Sequence, residues 1–302
     1  MRLITYLLNK KMKQRNLIIA LAVFITFLIV CVVSCNGSGS QTDGSGTDSV
    51  TATPHKINKD NLPINLSVFI DLSDRIVRPN PTQVELDTAI VNQLIDFFIE
   101  NSFKGGKLLS CKNKFNVFFY PAPTDASVTT LAKGLNIDLS ILQGAQKKER
   151  LAEMKETFDN NLAQIYSLAI KNKKFIGCDI WGFFTDKKVD NLCMSPGYRN
   201  ILVILTDGYL YHIHNKKQDG NAYSYLNPQN LMLPGTSLIV GRDGLEDLEV
   251  LMLEVNPSQI SQLHTMEDII ETWMKGMGVE HYMVAGTDLP SNTAKYISNF
   301  LK

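Results

Sequence analysis

The chain has 302 residues, with 30 basic and 30 acidic side chains and a formal net charge of zero. Such a balance leaves no electrostatic footprint for a nucleic-acid backbone, so DNA and RNA binding are disfavoured. Its five cysteines show no Cys-x-x-Cys spacing, which argues against a zinc finger or a dithiol redox motif.

In chain order, Lys10, Lys11, Lys13 and Arg15 precede an apolar run from Leu17 to Val33, the charged and hydrophobic regions of an export signal. The run closes on Val32-Val33-Ser34-Cys35, which resembles the lipobox read by lipoprotein signal peptidase. This resemblance implies that residues 1–34 are removed as a lipoprotein signal peptide and that Cys35 is lipidated. An uncleaved membrane anchor is the competing reading, since about 17 apolar residues lie at the lower limit for a span. Residues 35–55, rich in Ser, Gly, Thr and Asp, cannot bury a core and read as a flexible tether. Residues 56–302 then form one α/β domain outside the cytoplasm. Without an acidic cluster after Cys35, the expected place is the cell envelope, at the outer membrane facing the periplasm, with the cell surface as the alternative.

Leu66 to Asp71 is a short apolar run and predicts the first strand. Apolar residues recurring at helical spacing predict a helix from Gln83 to Asn101. Phe115 to Tyr120 predicts a second strand, and Lys147 to Lys171 a long helix with Leu151, Met154, Phe158, Leu162, Ile165 and Ala169 along one face. A helix capped by Asp179 is expected to run towards Leu192. Asn200 to Leu205 is the most apolar strand and predicts a central position covered on both faces. After a polar and aromatic excursion from Tyr209 to Gly235, the pattern resumes with a strand at Glu249–Val255, a helix at Ile260–Met277, a strand at His281–Ala285 and a helix at Ser291–Leu301. Strands alternating with helices imply an α/β fold: a doubly wound, mostly parallel sheet flanked by helices, with sites at the carboxyl ends of strands.

Two acidic loops fall at such ends, Asp71-Leu72-Ser73-Asp74-Arg75 and Thr206-Asp207-Gly208. Here the chain resembles the von Willebrand factor A family, in which a first-strand Asp-x-Ser-x-Ser, a threonine in a later loop and a Thr-Asp-Gly after the fourth strand form a metal-ion-dependent adhesion site. Asp71, Ser73 and Asp207 fit that pattern and are the metal-ligand candidates, with Mg²⁺ or another divalent cation as the implied cofactor. Arg75 stands where the second serine is expected. Cys178 replaces the threonine, with Asp179 beside it as a further oxygen donor. A hard cation wants about six oxygens, and sulfur is a poor partner for it. Alternation after the strand places Asp71, Ser73 and Arg75 on one side, so Arg75 is expected to enter the site and to pair with Asp71 and Asp207. There it closes the site as an internal salt bridge or captures an acidic ligand. Simple capping of strand ends by these polar residues is the plainest alternative.

Other features carry less. His212 and His214 share one side of an extended strand but have no evident third ligand for zinc. Tyr209, Tyr211, Tyr223 and Tyr225 cluster near the rim, as at many interfaces. Trp181 and Trp273 lie on apolar helix faces and belong to the core. Cys111, Cys178 and Cys193 read as free thiols or as one incidental disulfide with a thiol left over. No nucleophile with a positioned base is visible. The leading reading is a lipid-anchored binding module that holds a protein or an acidic ligand. The alternatives are a metal-dependent hydrolase or phosphotransferase, which the Ser73 in place of a second aspartate argues against, and a scaffold with a vestigial site.

Overall fold

The computed structural model describes residues 61–77, 83–173, 175, 177–209, 244–257 and 259–302. The signal segment, Cys35, the tether and the excursion carrying His212, His214, Tyr211, Tyr223 and Tyr225 lie outside them. Ile57–Lys302 forms one compact unit.

Six strands build one sheet: β1 (Ile64–Ile70), β2 (Lys114–Phe118), β3 (Asn136–Asp138), β4 (Arg199–Leu205), β5 (Leu248–Val255) and β6 (His281–Gly286). Their order is β3-β2-β1-β4-β5-β6. All pairings are parallel except that of β3, which runs antiparallel to β2. β1 and β4 occupy the middle and are buried on both faces, as fully covered parallel strands require; β4 is apolar from Ile201 to Leu205, while β1 carries Asn65 and Ser67 among its apolar residues.

The helices are α1 (Gln83–Phe103), α2 (Ala126–Lys133), α3 (Gly144–Asn172), α4 (Ile180–Thr185), α5 (Lys188–Cys193), α6 (Leu263–Gly276) and α7 (Pro290–Leu301). On one face, Leu66, Val68 and Ile70 pack with Leu94 and Phe98 of α1, Phe158 of α3 and Ile297 of α7. On the other, Phe69, Leu202 and Ile204 meet Phe183 of α4 and Ile270 and Trp273 of α6. Each fully buried side chain of this size contributes about 1.5–3 kcal/mol. Among the described residues, both faces of the sheet are covered by helices of the same unit.

The expected helix from 179 to 192 is two helices, because Lys187 adopts a left-handed backbone (φ 55°) that breaks it. α2 and β3 were not anticipated. α2 spans only 8 residues and owes its start to Asp125, whose side chain accepts from the amides of Ser127 and Val128, and β3 is three residues long, too short to carry a period. The helix expected from 260 begins as a 3₁₀ turn, Ile260–Gln262, before α6. Cys111, Cys178 and Cys193 are free thiols.

Since five strands run one way, the sheet has an amino end and a carboxyl end. At the amino end Arg199 clasps Glu249, with Nε 3.1 Å from Oε1 and Nη2 2.8 Å from Oε2, while Nη1 donates to the Leu301 carbonyl at 2.9 Å. His281 Nδ1 lies 3.2 Å from the same carboxylate, and its ring stacks on Phe300.

Candidate functional site

At the carboxyl end the two predicted acidic loops meet. β1 and β4 are neighbours in register, with Ile70 opposite Leu205, so the residues that follow them are adjacent. Thr206 Oγ1 donates to Asp71 Oδ2 at 2.9 Å and accepts from the Gly208 amide at 3.2 Å. The other oxygen, Asp71 Oδ1, accepts from the Ser73 amide at 2.7 Å. Asp71 is therefore buried and held at both oxygens. Asp207 is buried as well, and its Oδ1 accepts from the Tyr209 amide at 3.2 Å. Gly208 is required where it stands: its φ is 90°, and a Cβ there would lie 2.6 Å from Met266 Sδ and 2.8 Å from Val255 Cγ1.

Arg75 enters the site region, but its partner differs from the expected one. The chain after Ser73 does not stay extended. Asp74–Val77 forms a 3₁₀ turn, which swings the guanidinium beneath the start of α1. There Nη2 lies 2.6 Å from Asp87 Oδ2 and Nη1 3.3 Å from Oδ1, while Nε donates to the Asp71 carbonyl at 2.8 Å. Nε is also 4.0 Å from Asp71 Oδ2. The expected pairing with Asp71 is present, and Asp87 takes the place foreseen for Asp207. Burial disfavours the charge on Arg75, but the carboxylates of Asp87 and Asp71 outweigh it and raise its pKa. At 4% exposure this side chain is an internal salt bridge and offers nothing to an external acidic ligand.

Asp87 is the hub that sequence reasoning missed. It also accepts from the Tyr166 hydroxyl and, at 3.0 Å, from Gln83 Nε2. Burial and then the Asp87 carboxylate push the Tyr166 phenol well above its usual range, which keeps it a donor. Gln83 reaches on to Glu254 Oε2 at 3.4 Å. A clue was present in the sequence: an aspartate three residues after Val84 and three before Ile90 sits on the buried stripe of its helix, and Tyr166 lies four residues beyond Leu162 on another.

Glu254 is the second missed residue. It sits near the end of β5 with a left-handed backbone (φ 68°), inside a bulge where Met252 pairs with Val284 and Val255 with Gly286. Bulges re-aim side chains, and this one turns a glutamate to the α1 face. Its side chain is buried, and among the described residues Oε1 has no hydrogen-bond partner. Burial, then the Asp87 charge, raise its pKa to about 7, against the lowering effects of Gln83 and Arg75.

Cys178 lies where the charges of Asp71 and Asp207 both reach it. Burial first, then Asp71, hold its thiol well above the ordinary range, with Arg75 acting the other way. It is consequently a neutral thiol. Asp179 caps α4 as expected, its Oδ1 accepting from the Gly182 amide at 2.7 Å. That bond draws one of its oxygens to the helix.

At the expected threonine position stands a neutral thiol, a poor partner for a hard cation, and each oxygen of Asp71 accepts one protein hydrogen bond, which leaves it a further lone pair. Among the described residues, no group of three or more His, Cys, Asp or Glu is arranged to hold a metal ion. No protein-family model matches the chain, and no curated protein matches it.

Proposed function

We propose that the chain is a lipid-anchored binding module of the cell envelope, a von Willebrand A-like domain whose carboxyl-end loops hold a protein partner and whose cation place is served by Arg75. The observation that carries this reading is the 2.9 Å bond from Thr206 to Asp71, which joins the Asp-x-Ser loop to the Thr-Asp-Gly loop. Counting β3, Thr206-Asp207-Gly208 follows the fourth strand, as in the resembling family. A partner of protein type is supported by the rim. Ile260 after β5 is 79% exposed and Leu289 after β6 is 67% exposed, so large aliphatic side chains are exposed at the same end of the sheet as a polar centre. Interfaces combine such features. Among the described residues no helix is long and apolar enough to cross a membrane.

The test is capture from the envelope fraction by the mature protein, with EDTA or with Mg²⁺. Ile260→Asp with Leu289→Asp is expected to abolish capture without changing the melting temperature. Capture is expected to be the same in both buffers, and neither Mg²⁺ nor Mn²⁺ should raise the melting temperature of the wild type, since only a ligand that binds the native state stabilises it. Undiminished capture by the rim variant would refute the docking site. Metal-dependent capture and melting would replace Arg75 by a divalent ion in this reading. Cys35→Ser tests the anchor separately and should leave an uncleaved precursor of larger mass.

A further inference from the structure

At the amino end, away from the candidate site, the segment between α1 and β2 reads Phe103-Lys104-Gly105-Gly106-Lys107-Leu108-Leu109-Ser110-Cys111-Lys112. It holds three lysines and no acid. Leu109 is 75% exposed, and Ile141, in the turn after β3, is 76% exposed. β3 runs antiparallel to β2, with Asp138 opposite Lys114, so the turn that follows it lies at the end where β2 begins, beside this segment. The buried Lys147, in the first turns of α3, fixes the arrangement: its Nζ donates to the carbonyls of Leu109 (2.8 Å) and Cys111 (2.6 Å). Aliphatic side chains are thus presented outward among lysines by a loop that is tied down from behind.

We propose that this surface rests on a bilayer containing anionic phospholipid. Lysines interleaved with exposed aliphatic side chains suit the interface between headgroups and acyl chains, where the aliphatics enter and the ammonium groups meet phosphate. Two observations select a membrane as the occupant. The first is where the rest of the chain departs. Asn61, Leu62 and Pro63 line the same open groove of about 960 Å³ as Lys104, Lys107 and Lys112, so the described chain begins beside the lysines, and the segment from Cys35 joins it there. A Ser/Gly-rich chain of that length has a root-mean-square reach on the order of 30 Å, which keeps an anchored domain within touching distance. The second is charge. Of the neighbouring acids, Asp138 is paired with Lys114 and Asp96 with Lys155, which leaves Glu100 of the groove against Lys104, Lys107 and Lys112, whereas the carboxyl end carries its exposed aliphatics, Ile260 and Leu289, at the end that holds Asp71 and Asp207. One end suits an anionic surface and the other does not.

The position of the bilayer rests on the lipoprotein reading, but the surface is tested without it. Residues 57–302, the whole compact unit without Cys35, are mixed with vesicles of phosphatidylcholine alone or with added phosphatidylglycerol, and the bound fraction is measured by co-sedimentation. Each lysine near an anionic surface multiplies binding by about fivefold, so partition is expected to rise at least about tenfold on the anionic vesicles and to fall with added salt. Lys104→Glu with Lys107→Glu and Lys112→Glu should remove that gain, as should Leu109→Asp with Ile141→Asp. Ile260→Asp with Leu289→Asp should keep it. A cooperative thermal melt confirms that each variant is folded. Equal partition onto both vesicles, or an equal loss in the carboxyl-end variant, would overturn the proposal. Neither result touches the processing of Cys35, which is read from precursor mass.

Discussion

Two arginine–carboxylate pairs, one fully buried and one partly, sit at opposite ends of the sheet and are built to different standards. At the amino end Arg199 and Glu249 are matched atom for atom, with a carbonyl for the remaining nitrogen and a histidine beside the carboxylate. At the carboxyl end Arg75 is shared between Asp87 and the Asp71 backbone, and Gln83 links Asp87 to a glutamate with an unpartnered oxygen and a left-handed backbone. A satisfied network rigidifies, whereas strain and unpaired groups persist where the surrounding structure has a use for them. The amino-end pair reads as architecture, and the carboxyl-end pair as the foundation of a site.

This contrast can be broken in four places. Asp87→Ala should have the largest effect, because it strands a buried guanidinium and removes the acceptor of Tyr166. A loss of about 3–5 kcal/mol is expected in chemical denaturation, and a loss under 1 kcal/mol would mean that Arg75 finds another partner. Gly208→Ala should come next, at roughly 2–3 kcal/mol, from overpacking against Met266 and Val255 on a backbone that disfavours a side chain. Glu249→Ala should cost about 2 kcal/mol, at the level of lost charged hydrogen bonds, because the Arg199 side chain is 11% exposed and can recruit water.

The smallest net effect belongs to Glu254→Gln, and its signature is a pH dependence. The folded pKa of about 7 lies above the ordinary value of 4.5, so the native state holds the proton longer than the unfolded chain. The stability this contributes is complete below pH 4.5 and is lost as pH rises through 7. Wild type should therefore weaken relative to Glu254→Gln between pH 5 and pH 8 by on the order of 2 kcal/mol. Parallel stability curves for the two proteins would place the carboxyl in a more solvated setting than the structure gives it.

Much of the fold was readable because the elements that matter most are long and periodic. β4 announced itself by an unbroken apolar run, β1 by a short run interrupted only by Ser67, and α3 by its stripe from Leu151 to Ile165. The two acidic loops were placed correctly because parallel strands bring their ends together. What escaped were features with no period. β3 is too short, α2 is set by a single cap, and the helix break at Lys187 is one backbone angle. Arg75 was misassigned in part because extended alternation was carried past Ser73, where a 3₁₀ turn replaces it. Glu254 interrupts an apolar strand, a visible anomaly, but only the bulge reveals that it faces α1 and Asp87.

The long helix α3 has a mechanical consequence. Lys147, near its start, holds the lysine-bearing loop, and Tyr166, 19 residues further along the helix, holds Asp87 under the site. One helix thus spans from one end of the domain to the other, and at 1.5 Å per residue the two anchor points are separated by about 28 Å. α3 acts as a gauge that sets the height of the acidic loops above whatever the amino end stands on. An insertion of one helical turn into its exposed face could not be absorbed locally: it would lift one anchor by about 5 Å and tear either the loop from Lys147 or Tyr166 from Asp87.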